Sequence, residues 1–352
     1  MSRFWSDLAH SLKPYVPGEQ PKITNLVKLN TNENPFPPSP KAVAAMQAAT
    51  GDDLRLYPDP TCSNLRQALA DYNGLSIDQV FVGNGSDEVL AHAFQALLKQ
   101  DDKLLFPDTT YGFYPVYGDL FGIDYRQVAL KDDLSIDVAD YLGNNGGVIL
   151  ANPNAPTGLL LSLDEIRRLL EGNPDRVVII DEAYIDFGGQ SAVALIPQYD
   201  NLLVIQTTSK SRSLAGLRVG MAFGQAHLID GLERVKNSFN PYPLSREALA
   251  GAAAAVADVE YFDMTRQAII ELREWLATEL ANMGFTMTDS KTNFVFVEHQ
   301  VMGAADIAAG LRQQGVIVRH LTSNTRTQNR LRISIGTQAE CQALLTALNT
   351  IL

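Results

Sequence analysis

From about residue 76 onward the chain alternates short apolar runs with amphipathic stretches. The run 79–82 reads as a short strand and leads through Gly83-Asn-Gly-Ser-Asp-Glu88 into a helical pattern, with Val89, Leu90, Phe94, Leu97 and Leu98 on one face. Further strands are predicted at 103–106, 148–151, 177–180, 202–206 and 219–223. Several are apolar throughout, as expected of parallel strands covered on both faces. Strands that alternate with helices predict a mainly parallel sheet, with ligands at the C-terminal strand ends. Residues 17–40, rich in Pro and Asn and without strong periodicity, read as an extended lead-in. After Pro243 the character changes. Residues 244–283 read as long Ala-rich helix without Pro, and strands are predicted at 293–298 and 331–335. The expectation is an α/β protein with a large domain over 46–250 and a smaller α+β domain made from 1–45 and 251–352.

Composition narrows the function classes. At 352 residues, 46% apolar and 19% charged, the chain is ordinary globular material large enough for a sizeable core. Acidic residues outnumber basic ones 40 to 28, for a net charge of −12, and no Lys/Arg-rich run appears. A nucleic-acid or anionic-membrane partner is therefore not expected. The same acidity means that an anionic ligand needs a local pocket of positive charge. Cys62 and Cys341 lack both zinc-type spacing and the numbers for a disulfide framework, and read as reduced structural thiols. The N-terminal stretch shows no apolar core of signal-peptide length, and no run approaches the ~20 apolar residues of a membrane span. A cytoplasmic protein is expected.

Three short constellations fall where strands end. Gly85-Ser86-Asp87-Glu88 opens a helix straight after a strand, where free amides and the positive end of the helix dipole form an anion site. Read alone, it equally fits an ordinary N-cap with acids in the first turn. Its Gly spacing matches neither a dinucleotide fingerprint nor a P-loop. Asp181-Glu-Ala-Tyr184 ends the predicted strand 177–180. A desolvated Asp there needs a partner, and a cationic heterocycle nitrogen would serve; a strand-end cap is the alternative. Ser209-Lys210 follows the strand 202–206 amid the small hydroxyls of Thr207, Thr208 and Ser211. A lysine in a confined site can act as nucleophile and base, whereas a solvated loop lysine does neither.

Taken in order along the chain, Gly85-Ser-Asp, Tyr111, Asn152-Pro-Asn-Ala-Pro-Thr-Gly158, Asp181-Glu-Ala-Tyr184, Ser209-Lys210 and Arg218 resemble the fold-type I pyridoxal-phosphate aminotransferases. Within that superfamily, the segments Leu29-Asn-Thr-Asn-Glu-Asn-Pro35, Leu56-Tyr-Pro-Asp59, Asp181–Phe187, 209–218, Pro241-Tyr-Pro-Leu-Ser245 and Leu331–Thr337 are similar to those of the histidinol-phosphate aminotransferases. The resemblance implies a pyridoxal 5′-phosphate cofactor with its aldehyde held by Lys210, which would also shuttle the proton. Asp181 would pair with the pyridinium nitrogen, keeping the ring an electron sink. Tyr184 would bond the ring O3′, and Tyr111 would stack on the ring. Gly85, Ser86 and Asp87, through amides and side chains, would hold the cofactor phosphate together with Ser209 and Arg218. Tyr57 would reach that phosphate from the neighbouring subunit of a homodimer with shared active sites. The family pattern usually has an Asn before Pro-Thr-Gly, where this chain has Ala155. Asn154, or else Asn152, is expected to replace it.

For the substrate, Leu331, Ile333 and Ile335 alternate with Arg330, Arg332 and Ser334, which turns Arg332 away from the apolar face. The resemblance makes Arg332 the binder of a substrate carboxylate or phosphate, with Arg319 and Tyr15 at the phosphate and Asn32 and Asn34 lining the cleft. The implied reaction is amino transfer from L-histidinol phosphate to 2-oxoglutarate, both small molecules. An aromatic-amino-acid aminotransferase, a threonine-phosphate decarboxylase and a ligand-sensing regulator on the same fold are the alternatives. A regulator usually adds a basic DNA-binding segment, and the chain has none.

Overall fold

The computed structural model describes residues 2–15, 18–20, 26–322 and 324–352. Residues 17 and 21–25 of the predicted lead-in lie outside the described residues. The chain begins with a short helix α1 (Asp7–Ser11), strand β1 (Val27–Leu29) and helices α2 (Pro40–Ala48) and α3 (Ser63–Asn73). The alternation predicted from 76 onward follows. It runs β2 (Val80–Asn84), α4 (Gly85–Ala96), β3 (Leu104–Pro107), α5 (Tyr114–Phe121), β4 (Tyr125–Val128) and β5 (Gly147–Ala151). It continues with α6 (Leu163–Glu171), β6 (Val178–Asp181), β7 (Leu202–Thr207), β8 (Val219–Gly224) and α7 (Ala226–Phe239). After α8 (Arg246–Ala257) and α9 (Val259–Asn282) come β9 (Phe285–Met287), β10 (Phe294–His299), α10 (Ala304–Gln313), β11 (Val316–His320), β12 (Leu331–Ser334) and α11 (Gln338–Ile351).

The seven strands β2–β8 form one sheet in the order β2-β8-β7-β6-β5-β3-β4. Only β8 runs against its neighbours, so the sheet is mainly parallel. Successive residues of its central strands feed opposite faces, as the pleat requires. Val148, Leu150, Val178, Ile180 and Val204 enter the core on one side, and Ile149, Ile179, Leu203 and Ile205 the core on the other. That double burial is why these strands read as continuous apolar runs. The remaining strands form a second sheet, β1-β11-β12-β10-β9, covered by α9, α10 and α11 around a core of its own.

Several expectations are corrected. The segment 244–283 is two helices, broken at Asp258, whose backbone leaves the helical region at ψ 67°. The Asp258 carboxylate accepts from Ser39 Oγ and, at 2.7 Å, from Lys41 Nζ, so tertiary partners on α2 hold the break. Strands β1, β4 and β9 escape the apolar pattern because each is short and lies at a sheet edge. The expected boundaries near 45 and 250 both fall inside helices, α2 and α8. Ala248, Ala252 and Val256 of α8 all pack into the core of the larger sheet. No helix among the described residues is long and apolar enough to cross a membrane.

Candidate active site

A cleft of about 660 Å³ opens at the C-terminal ends of the parallel strands, with Lys210, Tyr184, Asn32, Arg319, Arg332 and Tyr15 among its walls. Asp181, the last residue of β6, is its most informative neighbour. Its Oδ2 accepts from the Tyr114 hydroxyl at 2.8 Å, while its Oδ1 is buried with no partner among the described residues. Burial pushes the carboxyl up to about 6, against the opposing hydrogen bond from Tyr114. A buried carboxylate with one oxygen satisfied and one orphaned is a site that awaits a donor, and a protonated ring nitrogen is such a donor.

Tyr184 stands three residues further on, with its hydroxyl oxygen accepting from Asn32 Nδ2 at 2.9 Å. Asn32 is buried in a left-handed conformation (φ 55°), which its short amide side chain tolerates. Its backbone is held by Ser334 Oγ and by the Asn293 amide. Lys210 lies three residues beyond β7, its Nζ 3.5 Å from the Thr31 carbonyl oxygen and 5.6 Å from the Tyr184 ring centre. Asn34 donates to the Lys210 carbonyl at 2.9 Å, and Ser211 donates to Asp186, so the loop carrying the amine is tied on both sides.

The anion cup is built on close approach. Asn84 makes no side-chain cap to α4, which leaves the first-turn amides uncapped by any side chain. Gly85 has φ 76°, and a Cβ there would sit 2.5 Å from the Arg218 guanidinium. A Cβ on Gly220 would sit 2.3 Å from the Ser86 nitrogen. Gly220 pairs with Thr207, whose Oγ1 bonds Ser209, so Gly85, Ser86, Ser209 and Arg218 converge on the start of α4. The Asp87 carboxylate is already engaged, by Arg218 Nη2 at 2.9 Å and the Tyr111 hydroxyl at 2.8 Å. Being negative and occupied, it would meet a phosphate through its amide only. Its side chain positions the cation.

Asn154 does not serve as expected. Its Nδ2 donates to the Thr109 carbonyl (3.0 Å) and Thr157 Oγ1 (3.1 Å), and its Oδ1 accepts from Thr110 (2.8 Å). No donor remains for a ligand. Asn152 is bonded to both backbone groups of Leu161, and Ala155 with Pro156 faces the cleft instead. The pair Tyr184–Asn32 is what remains for the O3′ role.

At the other end, Arg319 and Arg332 oppose each other in register across β11 and β12. Arg332 Nη2 donates to the Asn30 carbonyl at 3.1 Å, and its Nε is buried without a partner among the described residues. Burial lowers the Arg332 pKa, and the neighbouring Arg319 acts in the same direction. Among the described residues neither arginine pairs with a carboxylate, so an anion is the missing counter-charge. The Tyr15 ring packs on Phe113 at 4.5 Å beside them. Tyr57 is not brought to this cleft. It is 78% exposed and stacks on Tyr242 at 4.7 Å. Sequence reading missed Tyr114, whose signal was its three-residue spacing from Tyr111 and the need of a buried Asp181 for a donor. Asn34, expected with Asn32 at the cleft, steadies the Lys210 loop.

Comparison with known proteins agrees with this geometry. Residues 24–348 match the family model of aminotransferase class I and II. The chain is 59% identical over 348 residues to histidinol-phosphate aminotransferase 1 of Pseudomonas fluorescens, covering 99% of each. It is 57% identical to histidinol-phosphate aminotransferase 2 of Dechloromonas aromatica, covering 100% of this chain and 99% of the other. Histidinol-phosphate aminotransferase from Sinorhizobium meliloti, solved in complex with pyridoxal-5′-phosphate, superposes with a TM-score of 0.88 at 25% identity, over 100% and 98% of the two chains. The chain belongs to the class I and II aminotransferase family, among the histidinol-phosphate aminotransferases.

Proposed function

We propose that this enzyme transfers the amino group of L-histidinol phosphate to 2-oxoglutarate with pyridoxal 5′-phosphate, giving imidazole acetol phosphate and L-glutamate. The observation that carries the donor choice is the pair Arg319–Arg332, two cations lining one cleft that pair with no carboxylate among the described residues, in a chain of net charge −12. A dianionic phosphate supplies what they lack.

The cofactor, when bound, supplies a carbonyl that takes up the amino group and a protonated ring that accepts an electron pair. The chain does the rest. Asp181 Oδ1 accepts the ring N–H and keeps it protonated. The Tyr184 hydroxyl, oriented by Asn32, donates to the ring oxygen. The amides of Gly85, Ser86 and Asp87, with Ser209 and Arg218, hold the cofactor phosphate. Lys210 would hold the aldehyde carbon and, once the donor's amine has displaced it there, would move the proton at the substrate carbon bearing nitrogen. Arg319, Arg332 and Tyr15 take the phosphate of the donor, and Arg332 takes a carboxylate of 2-oxoglutarate. Tyr57 reaches the cofactor phosphate of the other subunit, which makes the enzyme a homodimer. The cofactor-holding domain, 46–250 extended to the break at Asp258, and the smaller domain from 1–45 and the rest then border one cleft. A cytoplasmic place is part of this reading.

The test is a donor panel with and without phosphate, followed by glutamate formation from 2-oxoglutarate. Preference for histidinol phosphate over phenylalanine by 100-fold or more, about the discrimination of two charged hydrogen bonds, is expected. Equal use of both donors overturns the donor choice.

A further inference from the structure

We propose that Tyr114 is a positioning residue for amino transfer: its buried phenol holds Asp181 in the orientation and charge state that the cofactor ring nitrogen requires. This rests on the cofactor reading above.

Tyr114 is fully buried in the first turn of α5, and its hydroxyl is the side-chain donor to Asp181 Oδ2, at 2.8 Å. The two carboxylate oxygens thereby become inequivalent. Oδ2 accepts from the phenol, and Oδ1 has no hydrogen-bond partner among the described residues. A carboxylate free to turn about its Cβ–Cγ bond would offer either oxygen, and a protonated one would hold no cation. Burial and the nearby Asp87 both favour the protonated acid, whereas donation by Tyr114 and by the Ala183 backbone favours the carboxylate. The phenol itself keeps its proton, because burial, and after it Asp181, Tyr111 and Tyr117, drive its ionisation well above the ordinary tyrosine range. It is therefore a donor at any working pH.

The arrangement extends beyond one contact. Tyr111, Tyr114 and Tyr117 recur every third residue, and the outer two hold Asp87, through Oδ1 and through its backbone carbonyl, each at 2.8 Å. One tyrosine stripe thus fixes both carboxylates beside the ring site. Arg218 is the cation paired with Asp87.

Tyr114→Phe keeps the ring packed between Phe94 and Phe106 and removes only the hydroxyl. Titration of cofactor-free protein with pyridoxal 5′-phosphate, followed by absorbance, should show the dissociation constant rise about tenfold, the worth of one hydrogen bond to a charged group. The acid limb of cofactor binding should move up by about one pH unit. In the loaded enzyme kcat should fall about tenfold, while KM for the amino donor stays within about twofold. In an Asp181→Asn background the same substitution should alter cofactor affinity less than about twofold, because the phenol acts through Asp181. An equal loss in both backgrounds would mark a merely structural role and overturn the proposal, as would wild-type affinity and acid limb in Tyr114→Phe. Wild-type protein that takes up no cofactor would overturn both this proposal and the reading beneath it.

Discussion

Removing the charge of Arg319 should have two opposite consequences, because Arg319 lies in register with the half-buried Arg332. Arg319→Met keeps most of the apolar stem and deletes the cation and its donors. In the ligand-free protein this relieves a like-charge contact that already pushes the Arg332 pKa in the same direction as burial. Directly opposed like charges in a sheet cost from a few tenths to about 1 kcal/mol, so the thermal midpoint should hold or rise by a degree or two. With histidinol phosphate bound, the same change removes one to two charge-assisted hydrogen bonds of about 1.5–3 kcal/mol each. The specificity constant for that donor should fall about ten- to a hundredfold. Phenylalanine, which carries no phosphate, should be barely affected if it is used at all. Steady-state kinetics on both donors, with melting of the cofactor-free protein, provide the readout. Equal losses on the two donors, or a midpoint lowered by several degrees, would refute the view of Arg319 as an unbalanced cation awaiting phosphate and would favour an aromatic aminotransferase.

Lys210→Ala should lose the cofactor absorbance band of the purified protein and nearly all turnover; a fully active variant would sink the assignment. Asp181→Asn should keep cofactor but slow single-turnover proton transfer by a hundredfold or more, since removing one partner of a buried ion pair costs about 3–5 kcal/mol. In cofactor-free protein the Asp181 carboxyl stands at about 6 rather than 3.8, so between those values the folded state binds a proton that the unfolded state has lost. Stability from this group therefore falls as pH rises from about 4 to about 6, by about 3 kcal/mol at most, and Asp181→Asn should flatten that part of the melting profile. Tyr57 is expected to act in trans: mixing Lys210→Ala chains with chains disabled at Tyr57 should restore part of the activity, as one site of a mixed dimer collects neither lesion. No recovery on subunit exchange would place Tyr57 in its own subunit's site.

What the sequence determined by itself was set by short-range pattern. The apolar runs of β5, β6 and β7 announced strands buried on both faces, because burial on both sides leaves no polar alternation to confuse the reading. The residues at or beyond their ends, Asp181 and Lys210, were legible through the resemblance of the motif series, since each read alone equally fitted a strand-end cap or a solvated loop residue. Tertiary structure decided everything that depends on who meets whom across the chain. Asn154 looked available until Thr109, Thr110 and Thr157 were folded around it, and Asp87 looked like a phosphate ligand until Arg218 and Tyr111 took its oxygens. The break at Asp258 came from Ser39 and Lys41, more than two hundred residues away. Tyr114 drew no reading from the sequence, and only the tertiary packing brought its hydroxyl on α5 to the Asp181 carboxylate at the end of β6. Local sequence sets which groups can be buried. The long-range packing determines which of them arrive with partners and which, like Asp181 Oδ1 and Arg332 Nε, are left open for a ligand.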